Sequence, residues 1–542
     1  SAEFAPEPVP PTALVCRGDD PELVAGEQRR RGRELFASLR CSACHLEGEV
    51  TAADLTTAAP ELAGAGRWNA AWIARWIADP QHVRPGTRMP QLGLSAAESQ
   101  DLAAWLATIN APAKAASTKE SATVSAKNDA SKAIASEDEA KNQGALLFED
   151  LGCLACHVVK AADQDAFGRT SLAHVAAKYS PTGLQDFLLA PHRLHRTSRM
   201  PDFRLSEGES RSLATYLRSQ AMGADGGVNV KENGKENLAG SPERGAKLFV
   251  ERGCTSCHAA GERVVTSRES PVTLVDFSSP RGCVAREPHG RASVPWYSLT
   301  PADRAALARF VATDRESLGR SALTESARTL HSTLRCNACH DRDSQRSPRG
   351  RILVDEGERG TTPESFPNLT WTGEKLQATW MASFLRGEKR ETTLRPWLKG
   401  RMPQFPAYAD ALAHGMAAEH AVGRESPPQI QLQAERVKLG NELIQRSALD
   451  CRQCHAVGKL PAQGDDQTKI APGINFAVVK ERVRYDYYQR FTLDPPRFDV
   501  TTKMPKLAPD GKRTKVQAIL DGDARQQFDA IWQYIQHGIP AE

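Results

Sequence analysis

No stretch of this 542-residue chain approaches the eighteen or more consecutive apolar residues of a membrane-spanning helix. A basic start followed by an apolar stretch is also missing at Ser1, so the chain reads as a mature or trimmed sequence, with "SAEF" as a cloning remnant. Charge of one sign is lacking too. Seventy Lys and Arg face 66 Asp and Glu, the formal net charge is +4, the basic residues are dispersed, and nucleic-acid binding has no support. Apolar residues are scarce, at 40% with a mean hydropathy of -0.48, too little for one large core. Length predicts three to five domains, with small cores that something other than side chains helps to fill.

What the chain does have is cysteine in a fixed frame. Ten of its twelve cysteines fall into five Cys-x-x-Cys-His motifs: Cys41, Cys44 and His45; Cys153, Cys156 and His157; Cys254, Cys257 and His258; Cys336, Cys339 and His340; Cys451, Cys454 and His455. A zinc ribbon needs two pairs converging within roughly 15 to 20 residues, whereas these motifs lie 82 to 115 residues apart. A thioredoxin-type pair needs no His and sits in an α/β pattern that is missing here. A disulfide scaffold would not place His after every pair. The remaining reading is mechanical: two thiols at this spacing add across the vinyl groups of a haem, and the adjacent His becomes the proximal iron ligand. Five covalently bound haem c groups are therefore expected.

The flanking sequence repeats with the motifs. A helical stretch precedes each, with Gly four residues before an aromatic in the first three copies: Gly32 and Phe36, Gly144 and Phe148, Gly245 and Phe249. Pro and Leu follow (Pro60 and Leu62, Pro271 and Leu274, Pro367 and Leu369), then a middle helix, then a closing helix carrying Trp105, Tyr216, Phe310 or Tyr534. Apolar spacings of three and four, and capping-box starts such as "SAAE" and "SEGE", support these helices. Each copy resembles a class I, mitochondrial-type cytochrome c domain, in which the first and last helices cross at a Gly against an aromatic and a Met closes the haem from the far side. The fourth copy departs by putting His331 in the aromatic place, and the fifth by two extra residues between Gly440 and Cys451.

The resemblance implies an all-α chain of five tandem small helical domains, each around one haem and joined by flexible linkers. The expected order is an N-terminal extension 1–24, domain 1 at 25–111, a linker 112–140 of Ala, Ser, Lys and acidic residues, domain 2 at 141–221, a Gly/Asn-rich linker 222–240, domain 3 at 241–315, domain 4 at 316–424 and domain 5 at 425–542. The last three, having less distinct connections, are expected to pack together.

Four methionines precede Pro and follow a basic residue, once per haem: Met89, Met200, Met402 and Met504. As distal ligands they would give saturated His/Met haems of relatively high potential, suited to passing electrons rather than binding substrate. The residues before them, Arg88, Arg199, Arg401 and Lys503, are either solvated or partners of haem propionates. The third copy has Val294-Pro295 at this place, in a loop five residues longer that contains Cys283 and His289. Haem three is thus left with His289, Cys283 or no residue as its distal ligand, with His331 a weaker choice. Alternatively Cys283 pairs with Cys16, the other cysteine outside the motifs, in a disulfide. The sequence leaves these open.

Ten propionates would carry the net charge from +4 to about -6 and ferric iron back to about -1, so bulk charge identifies no partner. The resulting expectation is a periplasmic or extracellular electron relay between redox partner proteins, a donor oxidoreductase and an acceptor, without a membrane span in this chain. The other reading is a haem enzyme, peroxidase-like or acting on a sulfur or nitrogen oxyanion, with haem three catalytic and fed by the other four.

Overall fold

A computed structural model describes residues 21–45, 59–109, 136–159, 165–193, 195–221, 239–260, 282–288, 294–320, 323–349, 351–352, 366–388, 401–423, 430–464, 473–500 and 502–537. The all-α expectation holds. Among the described residues the one sheet is a parallel pair of two-residue strands, His157–Val158 with Thr170–Ser171.

Each attachment motif sits on a tight turn just after a leading helix, and the residue before its first Cys is left-handed in all five copies: Arg40 (φ 59), Gly152 (74), Gly253 (69), Arg335 (59) and Asp450 (60). This reversal ends the leading helix and starts a short helical turn carrying the cysteines. Glycine adopts that conformation without strain, so Arg40, Arg335 and Asp450 are held in it by their surroundings.

Leading and closing helices cross as the repeat predicts. In the second copy Glu137–Asp150 packs on Glu207–Ala221, and a Cβ on Gly144 would fall 2.2 Å from the Ser212 carbonyl oxygen. In the fifth, Ala434–Leu443 packs on Ala524–His537, with Gly440 equally close to Ala530. The fourth copy reverses the device. Ala327 stands on its leading helix, Leu323–Thr333, and the glycine is on the closing helix Ala409–Glu419, where a Cβ on Gly415 would meet that of Ala327 at 2.4 Å. The same close approach survives with the small residue on the opposite partner.

Contacts divide the chain into two compact units, one from the ranges 1–115 and 232–322, the other from 116–231 and 323–542. The grouping is not that of adjacent copies, so the expected packing of copies three, four and five together is corrected. In the first unit the leading helices are exchanged. Pro21–Ser38 packs on Pro301–Thr313, with Phe36 and Phe310 ring centroids 5.6 Å apart. Pro242–Glu251 packs on Ala96–Leu106, with Phe249 and Trp105 at 4.8 Å. Residues 21–45 therefore form one lobe with 282–320, and residues 239–260 form another with 59–109. Domains 25–111 and 241–315 are not separate packed bodies.

Boundaries move for local reasons as well. The expected linker 112–140 ends in the first turn of a helix, because Ser136 caps Glu139 N–H and the acidic residues 137–139 complement the positive helix end. The extension 1–24 gives up residues 21–24 to the first leading helix. Residues 316–319, assigned to the start of domain 4, belong to a turn, Arg315–Gly319, that coils back onto the first lobe.

In the second unit, copies two and four meet through an antiparallel bridge between Asp202 and Gln404, with N–H to O distances of 3.1 and 2.8 Å. Copies four and five meet through a second bridge, Leu376 with Val483, beside an Arg482 guanidinium stacked over Trp380.

Candidate haem centres

The described motif thiols are half-buried. Burial pushes the Cys156 and Cys254 thiols up to about 11 and those of Cys153, Cys336 and Cys451 up to about 12. Such sulfurs suit an apolar, covalently bonded state better than a charged one.

His157, His258, His340 and His455 are oriented from behind. Nδ1 lies 2.8 Å from Pro60 O in His258, 2.9 Å from Pro367 O in His340, 2.7 Å from Ile474 O in His455 and 3.3 Å from Thr170 O in His157. A carbonyl only accepts, so the ring proton sits on Nδ1 and Nε2 presents a lone pair, the arrangement of a metal-binding imidazole. Burial also lowers the pKa of His258 and His455, favouring the neutral ring. Thiols, tethered imidazoles and thioethers together fit a covalently attached haem.

The methionine loops contain a feature the sequence reading passed over. A hydroxyl two residues earlier accepts the Met N–H: Thr87 for Met89 at 3.4 Å, Ser198 for Met200 at 3.2 Å and Thr502 for Met504 at 3.2 Å. The signal was present as Thr-Arg-Met, Ser-Arg-Met and Thr-Lys-Met, a small turn that fixes the loop before the Met. The place before Val294 has Ala292 instead.

The exchange changes which residues share a core. Met89 packs with Leu62, Trp105, Phe249 and Cys254, and its Sδ accepts the Trp76 indole N–H at 3.0 Å. It lies in one lobe with the motif of Cys254, Cys257 and His258, not with that of Cys41. Cys41 instead packs with Val284, Phe310 and Leu318, and Cys283 is near enough to raise the Cys41 thiol, second only to burial. Cys283 thus lies beside the first attachment motif. Tyr297 ties this segment to the first motif, donating its N–H to Cys283 O at 2.9 Å and its hydroxyl to Leu39 O at 3.1 Å. Val294 is exposed.

Met402 packs in the fourth core beside Cys336. His331 is buried in the same copy, beside Arg342 and His340, with its pKa lowered to about 4, chiefly by burial. His289 and Cys16 lie outside the described residues, and no disulfide forms among the described cysteines, Cys283 included. Of the basic residues before the methionines, Arg401 pairs with Glu209 and Arg199 is a desolvated cation with a lowered pKa.

Motifs of different copies adjoin in pairs. Arg40 donates to Cys257 O at 3.4 Å, and the Cys257 thiol is felt by Cys41. In the other unit Arg335 donates to Phe167 O at 2.7 Å and to Gly168 O, and Cys339 is felt by Cys153 and Cys156.

Residues 27–106 match the family described as cytochrome c oxidase, cbb3-type, subunit III, and residues 142–221 match the family described as cytochrome c. No curated protein and no solved structure shows significant similarity to the chain. The chain thus carries cytochrome c domains, which imply a haem-containing electron-transfer protein. No described helix is long and apolar enough to cross a membrane.

Proposed function

We propose that the chain is a periplasmic or extracellular pentahaem c-type cytochrome that relays electrons between a donor oxidoreductase and an acceptor. The observation that carries this reading is the adjoining of attachment motifs two by two, first with third and second with fourth, with His157, His258 and His340 among them tethered by backbone carbonyls. Haem c supplies a one-electron Fe(III)/Fe(II) couple. The chain's own residues hold it by Cys41, Cys44, Cys153, Cys156, Cys254, Cys257, Cys336, Cys339, Cys451 and Cys454 and orient the imidazoles of His45, His157, His258, His340 and His455. Met89, Met200, Met402 and Met504 would each offer a thioether to one iron, which would raise its potential. Two unit charges roughly 12 Å apart at an effective dielectric of 20 interact by about 1.4 kcal/mol, or about 60 mV for one electron. Paired haems should therefore titrate as coupled centres.

A haemochrome assay on the purified chain should count five haems, and a potentiometric titration should spread them over several midpoints. A count of two, or a single sharp midpoint, would overturn the relay reading. The missing methionine at Val294 supports a second reading, a haem enzyme at the iron beside it; a high-spin ferric signal and a CO-induced shift of one ferrous haem are its expected marks.

A further inference from the structure

We infer that the haem with no methionine is the first one, attached at Cys41 and Cys44 with His45, and that Met89 serves the third, attached at Cys254 and Cys257 with His258. This rests on the haem reading above and follows from the exchange of leading helices. Repeat order alone gives the opposite assignment.

The Gly-against-aromatic crossing cannot choose between the two arrangements, since Gly32 and Gly245 would fit either closing helix. Polar contacts do choose. Arg33 is buried and donates to Ser317 O at 3.3 and 3.2 Å and to Arg320 O at 3.0 Å. The corresponding residue of the other leading helix is Ala246, which has no donor to replace it. Arg244 grips the buried Asp101 carboxylate with two bonds of 2.8 and 2.9 Å, and Ser241 N–H adds a third at 2.6 Å. On the other closing helix the place of Asp101 is taken by Ala306. Arg31 stands in the place of Arg244 and could take over Asp101, but restoring repeat order would leave the 317–320 carbonyls without the Arg33 guanidinium and would put Leu39 where Arg252 now pairs with Glu98, a loss of several charge-assisted bonds.

The proximal side agrees with the same pairing. The carbonyl that orients His258 belongs to Pro60, and Leu62 N–H donates to Ala259 O at 2.7 Å. The strand of chain carrying Cys283, Val284 and Tyr297 is instead fastened to Leu39 and Cys41. The first iron consequently faces a segment whose described residues offer the Cys283 thiol and no thioether, and it is the centre that differs chemically from the other four.

Two measurements on the full chain test this. In the first, cysteines are placed in pairs and the oxidised protein is mapped by mass spectrometry without reduction. Arg244→Cys with Asp101→Cys should link, whereas Arg244→Cys with Ala306→Cys should stay open; the reverse would overturn the exchange. In the second, Cys254→Ala with Cys257→Ala should remove one of the four methionine–iron charge-transfer contributions, and Cys41→Ala with Cys44→Ala should leave all four. Loss on deleting the first motif instead would overturn the assignment. A haemochrome count below five in the unaltered chain, with the Arg244/Asp101 positions still linking, would sink the pentahaem relay and leave the exchange standing.

Discussion

The pair formed by copies one and three and the pair formed by copies two and four dock in the same way, yet only the first exchanges its leading helices. In both, an antiparallel bridge joins the residues two places beyond the methionine position: Gln91 with Trp296, and Asp202 with Gln404. The docking surface is therefore independent of which leading helix completes which lobe. What differs is the set of charged side chains at the crossing. Identical glycine crossings make repeated helices interchangeable, and a few polar contacts decide the partner.

The sharpest way to break the comparison is to fill a crossing. Gly32→Leu drives a side chain toward Ala306 O, 2.2 Å from an added Cβ, and overpacking of this kind costs about 3 kcal/mol. Hydrogen exchange should accelerate in 301–313 and not in 96–106. Gly144→Leu, in the pair without exchange, should loosen 207–221 of its own copy. Equal acceleration of 96–106 by Gly32→Leu would contradict the exchange.

Asp101→Asn and Arg33→Met each remove charge-assisted bonds made across the exchanged crossings, with an expected loss of about 2 kcal/mol. The urea midpoint of the first unit should fall while that of the second stays in place.

Acid should separate the units by another route. Hydrogen bonds from Ser95 and Arg252 hold Glu98 down at about 2, and Arg244 depresses Asp101. Folded values below the unfolded ones mean that their stability is complete above the ordinary carboxylate range and is lost as pH falls toward 2. His331 in the fourth copy, lowered from 6.5 to about 4 chiefly by burial, contributes stability that is present above 6.5 and lost as pH falls through 4. The fourth copy should thus loosen first on acidification, visible as exchange in 323–333 before any change in 96–106; His331→Phe should delay it. The smallest effect is Ser136→Ala, about 1 kcal/mol for a lost cap, read as fraying confined to residues 137–140.

Much of this was legible in the chain. Periodicity and capping residues located the helices, and the Cys-x-x-Cys-His spacing located every attachment turn, because both signals are local. The left-handed residue before each motif was masked by Arg40, Arg335 and Asp450, which do not advertise that conformation as Gly152 and Gly253 do. The exchange was illegible for a different reason. Repeat periodicity reports what each segment is, not which of several equivalent segments it meets, and Arg244 and Asp101 lie 143 residues apart with nothing in either neighbourhood to link them. The fourth copy's glycine was missed because it moved to the helix on the other side of the contact.

The exchange also sets the order in which the molecule can be assembled. In the second copy the closing helix begins at Glu207, 54 residues after Cys153, whereas the helix that completes the first lobe begins at Pro301, 260 residues after Cys41. Contacts of such sequence separation form late, since the intervening loop must close before it is rewarded. A chain made from its N-terminus presents the first motif as an open helix end long after the second copy is able to enclose its own, so the attachment site made first is the one finished after residue 320.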